Sequence, residues 1–238
     1  MSAAPGRSLS VIIPALDEAA GIEDCLHALA PLVEAGAEVI VCDGGSRDDT
    51  RARAAAAGAR VLEAPRGRAR QMNAGAAMAR GPWLAFLHAD NRVDEAVNAR
   101  LLQCAGTPRP AWGRFDVRLA GPGPFLRVIE WSMNWRSRLT GIATGDQLMV
   151  VHRDLFRSVG GFPDIPLMED VALSSALRRH TRPRCFRERV TTSARRWQRE
   201  GVLRTVLLMW RLRLGFALGA DPRDLARRYY PDRGPHAR

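Results

Sequence analysis

The stretch "VIVCDGGSRDDT", residues 39–50, decides the fold. Three β-branched residues lead through Cys42 to Asp43, then to Gly44, Gly45 and Ser46, and a polar run ends in Asp48, Asp49 and Thr50. A carboxylate at the end of a strand can accept hydrogen bonds from ribose hydroxyls or a base N–H, and glycines behind it let a ligand approach the backbone. The competing reading is an ordinary turn, because Asp-Gly and Gly-Gly form turns on their own account.

Outward from this stretch, apolar runs alternate with helical patterns. Strands are predicted at 9–15, 37–43, 59–64 and 82–90, and helices at 18–35, 47–57 and 68–80. Such alternation with short connectors predicts an α/β fold whose mostly parallel central sheet is flanked by helices. Asp43 and Asp90 each end a predicted strand. Ligands of these sheets bind beyond the carboxyl ends of the strands, so both acids are predicted to face one crevice. Past residue 106 the pattern loosens to a strand at 109–120, an amphipathic helix at 124–139, a strand entering a short helix at 145–156, and a Gly/Pro-rich loop feeding a helix near Glu169. The expected division is a nucleotide-binding half (1–105), an acceptor-side half (106–190) and a basic helical C-terminal extension (191–238).

A chain of 238 residues can bury one substantial core, and 46% hydrophobic content predicts a globular protein. Cys25, Cys42, Cys104 and Cys185 form no C-x-x-C pair, which speaks against a structural zinc site or a disulfide framework and suits a reducing cytoplasm. The formal charge of +11 is local. Residues 1–177 carry 19 Arg against 20 acids, whereas 178–238 carry 17 Arg against 5. A basic, apolar tail reads as a contact with an anionic membrane surface or with a second copy in a homodimer. No nucleic-acid partner is expected, since no recognition motif accompanies the arginines. The first nineteen residues lack the apolar core of a secretory signal. The apolar run at 201–219 is interrupted by Arg204, Arg211 and Arg213. A span needs about 20 mostly apolar residues, and each central Arg costs roughly 2.5–3.5 kcal/mol, so no single span is expected. The expected location is the cytoplasm, with peripheral attachment at the inner face of the membrane.

Two further acidic segments carry chemistry. "FLHAD" places His88 and Asp90 at a strand end. Asp90 suits Mg2+ or Mn2+, which are held by one or two carboxylates plus phosphate oxygens. His88 either joins that ion or is a core histidine satisfied by its neighbours. "PLMED" puts Glu169 and Asp170 at a helix start, where the dipole stabilises anions by roughly 0.3–1 kcal/mol. They are either plain helix-terminal charges or, for Asp170, a general base of a kind that contributes roughly 10²–10⁴ in rate. Gly145, Asp146 and Gln147 either position an acceptor or phosphates, or cap a strand. Trp112, Phe115, Trp131 and Trp135 either line an acceptor groove or belong to the core.

Together these segments resemble the family 2 glycosyltransferases, which have the GT-A nucleotide-diphospho-sugar transferase fold, over about residues 8–180. "VIIPALDEA" is similar to the family's opening strand and Pro-x-x-Asn-Glu signature, with Pro14 and Glu18 kept and Asp17 where Asn is usual. "CDGGSRDDT" is similar to Asp-Gly-x-Ser-x-Asp-x-Thr. "GRARQMNAGA" (67–76) resembles the segment whose basic residue reaches the nucleotide, with Arg68 as the candidate. "HAD" stands where the family has Asp-x-Asp, and "FRSVGGFPDIPLMED" resembles the acceptor-side signature. The pattern also resembles a bacterial subgroup named for gene neighbourhoods of radical-SAM proteins or arsenosugar biosynthesis. "SARRW" (193–197) resembles the Gln-x-x-Arg-Trp motif of processive synthases, with Ser193 in place of Gln.

The resemblance implies an inverting, hexosyl-type transfer of one sugar from a UDP- or GDP-sugar to a hydroxyl acceptor, with a lipid-linked acceptor among the candidates. Pro14, Glu18, Asp43, Arg68 and Asp90 would bind the donor and Asp90 the divalent cation. Gly145, Asp146, Gln147 and Glu169 would position acceptor or phosphates, and Asp170 would be the base. Rival readings are a sugar-1-phosphate nucleotidyltransferase, which would want a Gly-rich basic loop where "PALDEAAG" is acidic, and a catalytically silent sugar-nucleotide binding protein.

Overall fold

The structure, a computed structural model, describes residues 8–193 and 201–230. The "ARRW" of the 193–197 motif lies outside them. Strands β1 (Leu9–Ala15), β2 (Glu38–Asp43), β3 (Arg60–Glu63), β4 (Trp83–Phe86), β5 (Asn91–Arg92), β6 (Trp112–Leu119), β7 (Met149–His152) and β8 (Arg184–Thr192) form one sheet in the order β3-β2-β1-β4-β7-β6-β8-β5. The first four strands are parallel, as the alternation predicts. β7 runs antiparallel to both β4 and β6, β8 is parallel to β6, and β5 closes the edge antiparallel to β8.

β1 shows why the central strands read as unbroken apolar runs. Leu9, Val11, Ile13 and Ala15 pack on one face of the sheet and Ile12 on the other, all almost fully buried. A strand covered on both faces has no polar side to alternate with. The first face is covered by α1 (Ile22–His27), α2 (Ala30–Glu34) and α5 (Glu95–Ala105), through Ile22, Leu26, Leu32, Val97 and Leu101. The second is covered by α4 (Arg68–Met78), α7 (Arg153–Ser158) and α8 (Glu169–His180), through Met72, Phe156, Leu173 and Leu177. Helix α3 (Thr50–Ala56) follows the 43–50 loop.

Several expected boundaries move, each for a local reason. The single helix predicted at 18–35 is two: Pro31 lacks the N–H that would bridge them and instead starts the second. The strand predicted to reach Asp90 ends at Phe86, and residues 88–90 turn away, with Asn91 N donating to His88 O. Helix α5 was not assigned from sequence, although Asp94 caps it by accepting from Val97 N at 2.9 Å. β8 was missed as well, since "RCFRERVTT" carries three arginines; it is half-exposed for most of its length.

Helix α6 (Pro124–Thr140) substitutes for a strand. β7 covers β6 only along Trp112–Arg114. Beyond that, Asn134 accepts from Val117 N at 2.9 Å and donates to Val117 O at 3.0 Å, and Arg127 donates to Leu119 O at 2.8 Å. Arg114, fully buried, and Arg138 both pair with Asp116. Trp112 and Phe115 belong to the core, whereas Trp131 and Trp135 are 64% and 47% exposed, so these four aromatics line no common groove.

The C-terminal helices α9 (Val202–Ala217) and α10 (Pro222–Tyr229) fold back onto the body. Leu212 and Leu225 are buried against Leu167 and Met168, just ahead of α8, and Val206 packs on the α6 cluster. No helix among the described residues is long and apolar enough to cross a membrane.

A close approach of the residues before β4 to the β1 backbone generates a stability prediction. A Cβ on Gly81 would lie 2.8 Å from both the carbonyl carbon and the nitrogen of Leu9, which is β1 backbone with nowhere to move. Gly81→Ala should therefore cost about 1–3 kcal/mol. At roughly 2–4 °C per kcal/mol for a domain of this size, a thermal melt would register it as a clear drop in Tm.

Candidate functional site

The loops after β1 and β2 lock together before any ligand is considered. Ser46 Oγ accepts from Asp17 N at 2.9 Å, Thr50 Oγ1 from Glu18 N at 2.8 Å, Asp48 from Ala19 N at 3.0 Å, and Asp17 from Arg47 N at 2.8 Å. Asp17 has φ +55°, a left-handed conformation that short polar side chains such as Asp and Asn tolerate best. Beneath the loops, Gln71 on α4 donates to Ala15 O at 2.8 Å and Cys42 O at 2.7 Å, joining the ends of β1 and β2. One turn on, Gly75 lets α4 approach that closely, because a Cβ there would strike Ile12 and Cys42.

Asp43 is buried and turned into its own loop. Its carboxylate accepts from Gly45 N and Ser46 N, both at 3.0 Å, and from Ser46 Oγ. A carboxylate has about four acceptor positions, so one remains for a ligand. Pro14 is buried inside β1, beside Cys42 of β2. Gln147 is also buried, and its Oε1 accepts from Thr144 N at 3.2 Å in a capping arrangement.

The other predicted residues converge. Gly145 N donates to Asp170 Oδ2 at 2.6 Å, tying the 145–147 turn to the start of α8. The His88 ring lies close against Gly145, where any Cβ would collide with its Cε1 and Nε2, and its Nδ1 is 4.0 Å from Asp146 Oδ1. Desolvation, and then the nearby charge of Asp90, push Asp146 up to about 6. Burial, and then Asp170, push Glu169 up to about 7. Burial, followed by Arg68, pulls His88 down to about 3, so the imidazole is neutral at physiological pH. Arg68, at the start of α4, is held protonated first by Tyr230 and then by Glu169, Tyr229 and Asp146. Asp90, Asp146, Glu169, Asp170, Arg68 and His88 thus share one electrostatic neighbourhood. Glu18 lies at its margin, where it and Asp90 both act on Cys25. Asp43 is not part of this cluster.

Three contributors were missed from sequence. Arg213 on α9 acts on Asp146 and Asp170, Tyr230 acts on Arg68, and Arg136 on α6 approaches Asp170. Each is an ordinary residue of a helix or its end, without a motif around it. A cleft of about 340 Å³ with Asp90 on its wall opens between Gly21, Arg92 and the end of β8 at Thr191–Ser193. Among the described residues no group of three His, Cys, Asp or Glu is gathered to hold a metal by itself. The like charges of Asp90 and Asp146 nevertheless fit a cation that completes its shell with phosphate oxygens and water.

Glu169 yields a pH test. With its pKa raised in the folded state, the carboxyl costs nothing while protonated, near pH 4.5 and below. The penalty for its ionisation grows as pH rises through about 7. Glu169→Gln should be more stable than the parent at pH 8, by on the order of 1–3 kcal/mol, and so melt at a higher temperature. The gap should shrink steadily towards pH 5 in a series of thermal melts.

The Glycosyl transferase family 2 model matches residues 10–157. Over 62 residues, 26% of this chain, the sequence is 50% identical to the glucosyl-3-phosphoglycerate synthase of Mycobacterium tuberculosis H37Rv, and the match spans 19% of that protein. An uncharacterized glycosyltransferase of Mycobacterium bovis is 31% identical over 143 residues, 56% of this chain and 63% of that one. The chain therefore spans less than two thirds of these relatives. The crystal structure of M. tuberculosis glucosyl-3-phosphoglycerate synthase with Mn2+, UDP and glucosyl-3-phosphoglycerate has a TM-score of 0.57 at 23% identity, over 79% of this chain and 71% of that one. S. aureus TarS 1–349 has a TM-score of 0.65 at 16% identity, over 78% and 60%. These likenesses establish the fold as GT-A. With the family model covering well over half of its length, from the opening strand through the 145–147 turn, this chain belongs to glycosyl transferase family 2.

Proposed function

We propose that the protein moves one sugar, with inversion, from a UDP- or GDP-sugar to a hydroxyl acceptor, with Asp170 as general base. The observation that carries this reading is the tie from Asp170 through Gly145 and Asp146 to the Asp90 and Arg68 side of the cleft. It gives one carboxylate beside a cluster suited to a diphosphate. Asp170 accepts from Gly145 N at 2.6 Å and Val171 N at 2.7 Å, which orient it and leave acceptor positions for a substrate hydroxyl.

On this reading the base and ribose lie over the interlocked loops, against Pro14 and Glu18, and use the remaining acceptor position of Asp43. Arg68 faces the diphosphate. Asp90 and Asp146 would hold Mg2+ or Mn2+, whose chemistry is neutralisation of the leaving group's charge. The M. tuberculosis synthase, solved with UDP and either Mn2+ or Mg2+, supports the choice of donor class and ion. Glu169 and Gln147 brace this arrangement from behind. Asp170 takes the acceptor proton as the acceptor oxygen approaches the anomeric carbon from the face opposite the leaving group.

Asp170→Asn should lower turnover at least about 100-fold, measured as nucleoside diphosphate released from a sugar nucleotide. Its affinity for UDP with Mn2+ should stay within about twofold of the parent. Asp90→Ala should instead erase the difference between UDP binding with and without Mn2+. Undiminished turnover in Asp170→Asn would remove the base assignment.

The same protein is proposed to rest on an anionic membrane surface. α6 exposes Phe125, Val128, Trp131, Trp135 and Leu139, and the adjacent α9 exposes Leu207, Trp210 and Leu214, with Leu218 just past its end, all between 47% and 78%. Exposed Arg204, Arg211, Arg223, Arg227 and Arg228 lie on α9 and α10. Apolar stripes with tryptophan beside arginine suit the headgroup region of an anionic bilayer. Because α9 also carries Arg213, point changes are a cleaner test than truncation. Trp210→Ser with Leu214→Ser should reduce co-sedimentation with phosphatidylglycerol vesicles. Unchanged vesicle binding with a shift from dimer to monomer in solution would assign the surface to self-association.

A further inference from the structure

Two guanidinium groups meet beside Asp170 without an anion to share. Arg136 donates through Nη1 to Ile142 O at 3.2 Å, while its Nε and Nη2 are buried with no hydrogen-bond partner. Arg213 reaches the same place from α9, the two helices touching through Val206 and the α6 cluster that includes Met133. Among the described residues neither arginine lies in an ion pair. Asp170 is the carboxylate that acts on both, yet its two oxygens accept from Gly145 N and Val171 N.

Such an arrangement is costly in the ligand-free protein. Burial, and then the like charge of Arg213, pull Arg136 down to about 9, with Arg114 adding to the repulsion and Asp170 opposing it. Arg114 is no rival for a ligand, being paired with Asp116 and with Asn134 O at 3.0 Å. Nor can Arg136 swing away freely. α6 is held in register on β6 by Asn134, Arg138 and Arg127. A fixed, desolvated guanidinium with open donors is suited to bidentate recognition of phosphate or carboxylate.

The pair also lies on a defined side of the site. Arg68 is influenced by Glu169 and Asp146, Arg136 by Asp170 but by neither of those, and Arg213 by both Asp170 and Asp146. Arg136 and Arg213 therefore both lie within reach of the charge of Asp170. We propose that Arg136 and Arg213 bind an anionic group, phosphate or carboxylate, carried by the acceptor, and so bring the acceptor hydroxyl to Asp170. The assignment to the acceptor rests on Asp170 being the base; the anion site itself does not.

Inorganic phosphate is the probe, read by thermal shift with UDP and Mn2+ already saturating. Phosphate should raise Tm further in the parent protein and in Arg68→Met. Arg136→Met and Arg213→Met should each weaken that response roughly ten- to a hundredfold in apparent phosphate affinity. Without phosphate, Arg136→Met should be at least as stable as the parent, because it removes an unpaired buried charge. Should that variant not fold, Arg136→Lys keeps the charge but loses the fork and should bind phosphate about tenfold more weakly. Asp170→Asn should keep the phosphate response whatever happens to turnover, which separates this inference from the base assignment. A response that disappears once UDP and Mn2+ are bound would assign the pair to the donor diphosphate and overturn the proposal. A response that survives in both Met variants, or is undiminished in Arg136→Lys, would overturn it equally.

Discussion

The polar interlock between the loops after β1 and β2 is the constraint on which the parallel half of the fold depends. Two parallel strands end side by side, and every residue beyond them has to leave the sheet without wasting its backbone groups. Ser46, Thr50, Asp48 and Asp17 meet that demand by accepting from the opposite loop, and Gln71 collects the last carbonyls of both strands. The result is a rigid rim in which only the residual acceptors, rather than the whole motif, are left open to further partners. Asp43 illustrates the division: most of its hydrogen-bonding capacity is spent on the turn that presents it.

This explains how much was legible in the amino-acid sequence. The parallel half was readable because β1, β2 and β4 are doubly covered and therefore continuously apolar. The motif residues were readable as a set because polar groups at strand ends are rare unless they are used. Their division of labour was not, since Asp-Gly-Gly-Ser can serve a turn or a ligand with the same atoms. β8 and the α6 side chains escaped for the opposite reason. Arg184, Arg187 and Arg189 give β8 the look of a solvated segment, and Asn134 repairs the edge of β6 through a contact 17 residues away that no local pattern encodes. Arg136 and Arg213 come from two different helices, and only the packing of α9 on α6 makes them neighbours.

The cluster around Asp170 is held together at a cost to stability. Asp146 and Glu169 are both pushed upward by desolvation and like charge, and Arg136 keeps unpaired donors next to a second cation. Elsewhere the same chain pairs buried charge with opposite charge, as in the Arg114–Asp116–Arg138 network under α6, although Arg114 Nε there also lacks a partner. Local rules broken in one place and obeyed in another are the pattern that sites of binding and chemistry commonly show. The C-terminal helices belong to that surface through Leu212 and Leu225, which seat Arg213 and Tyr230 against the residues leading into α8.

The native thiols offer an internal gauge of breathing motions. Cys25 in α1, Cys42 in β2 and Cys104 in α5 are buried, and burial pushes them up to about 12, 12 and 11, so almost no reactive thiolate exists while the chain stays closed. An alkylating reagent can reach them only when the element that shields each one opens. Their separate labelling rates therefore time the opening of the helical layer and of the strand beneath the donor rim, without a single engineered residue.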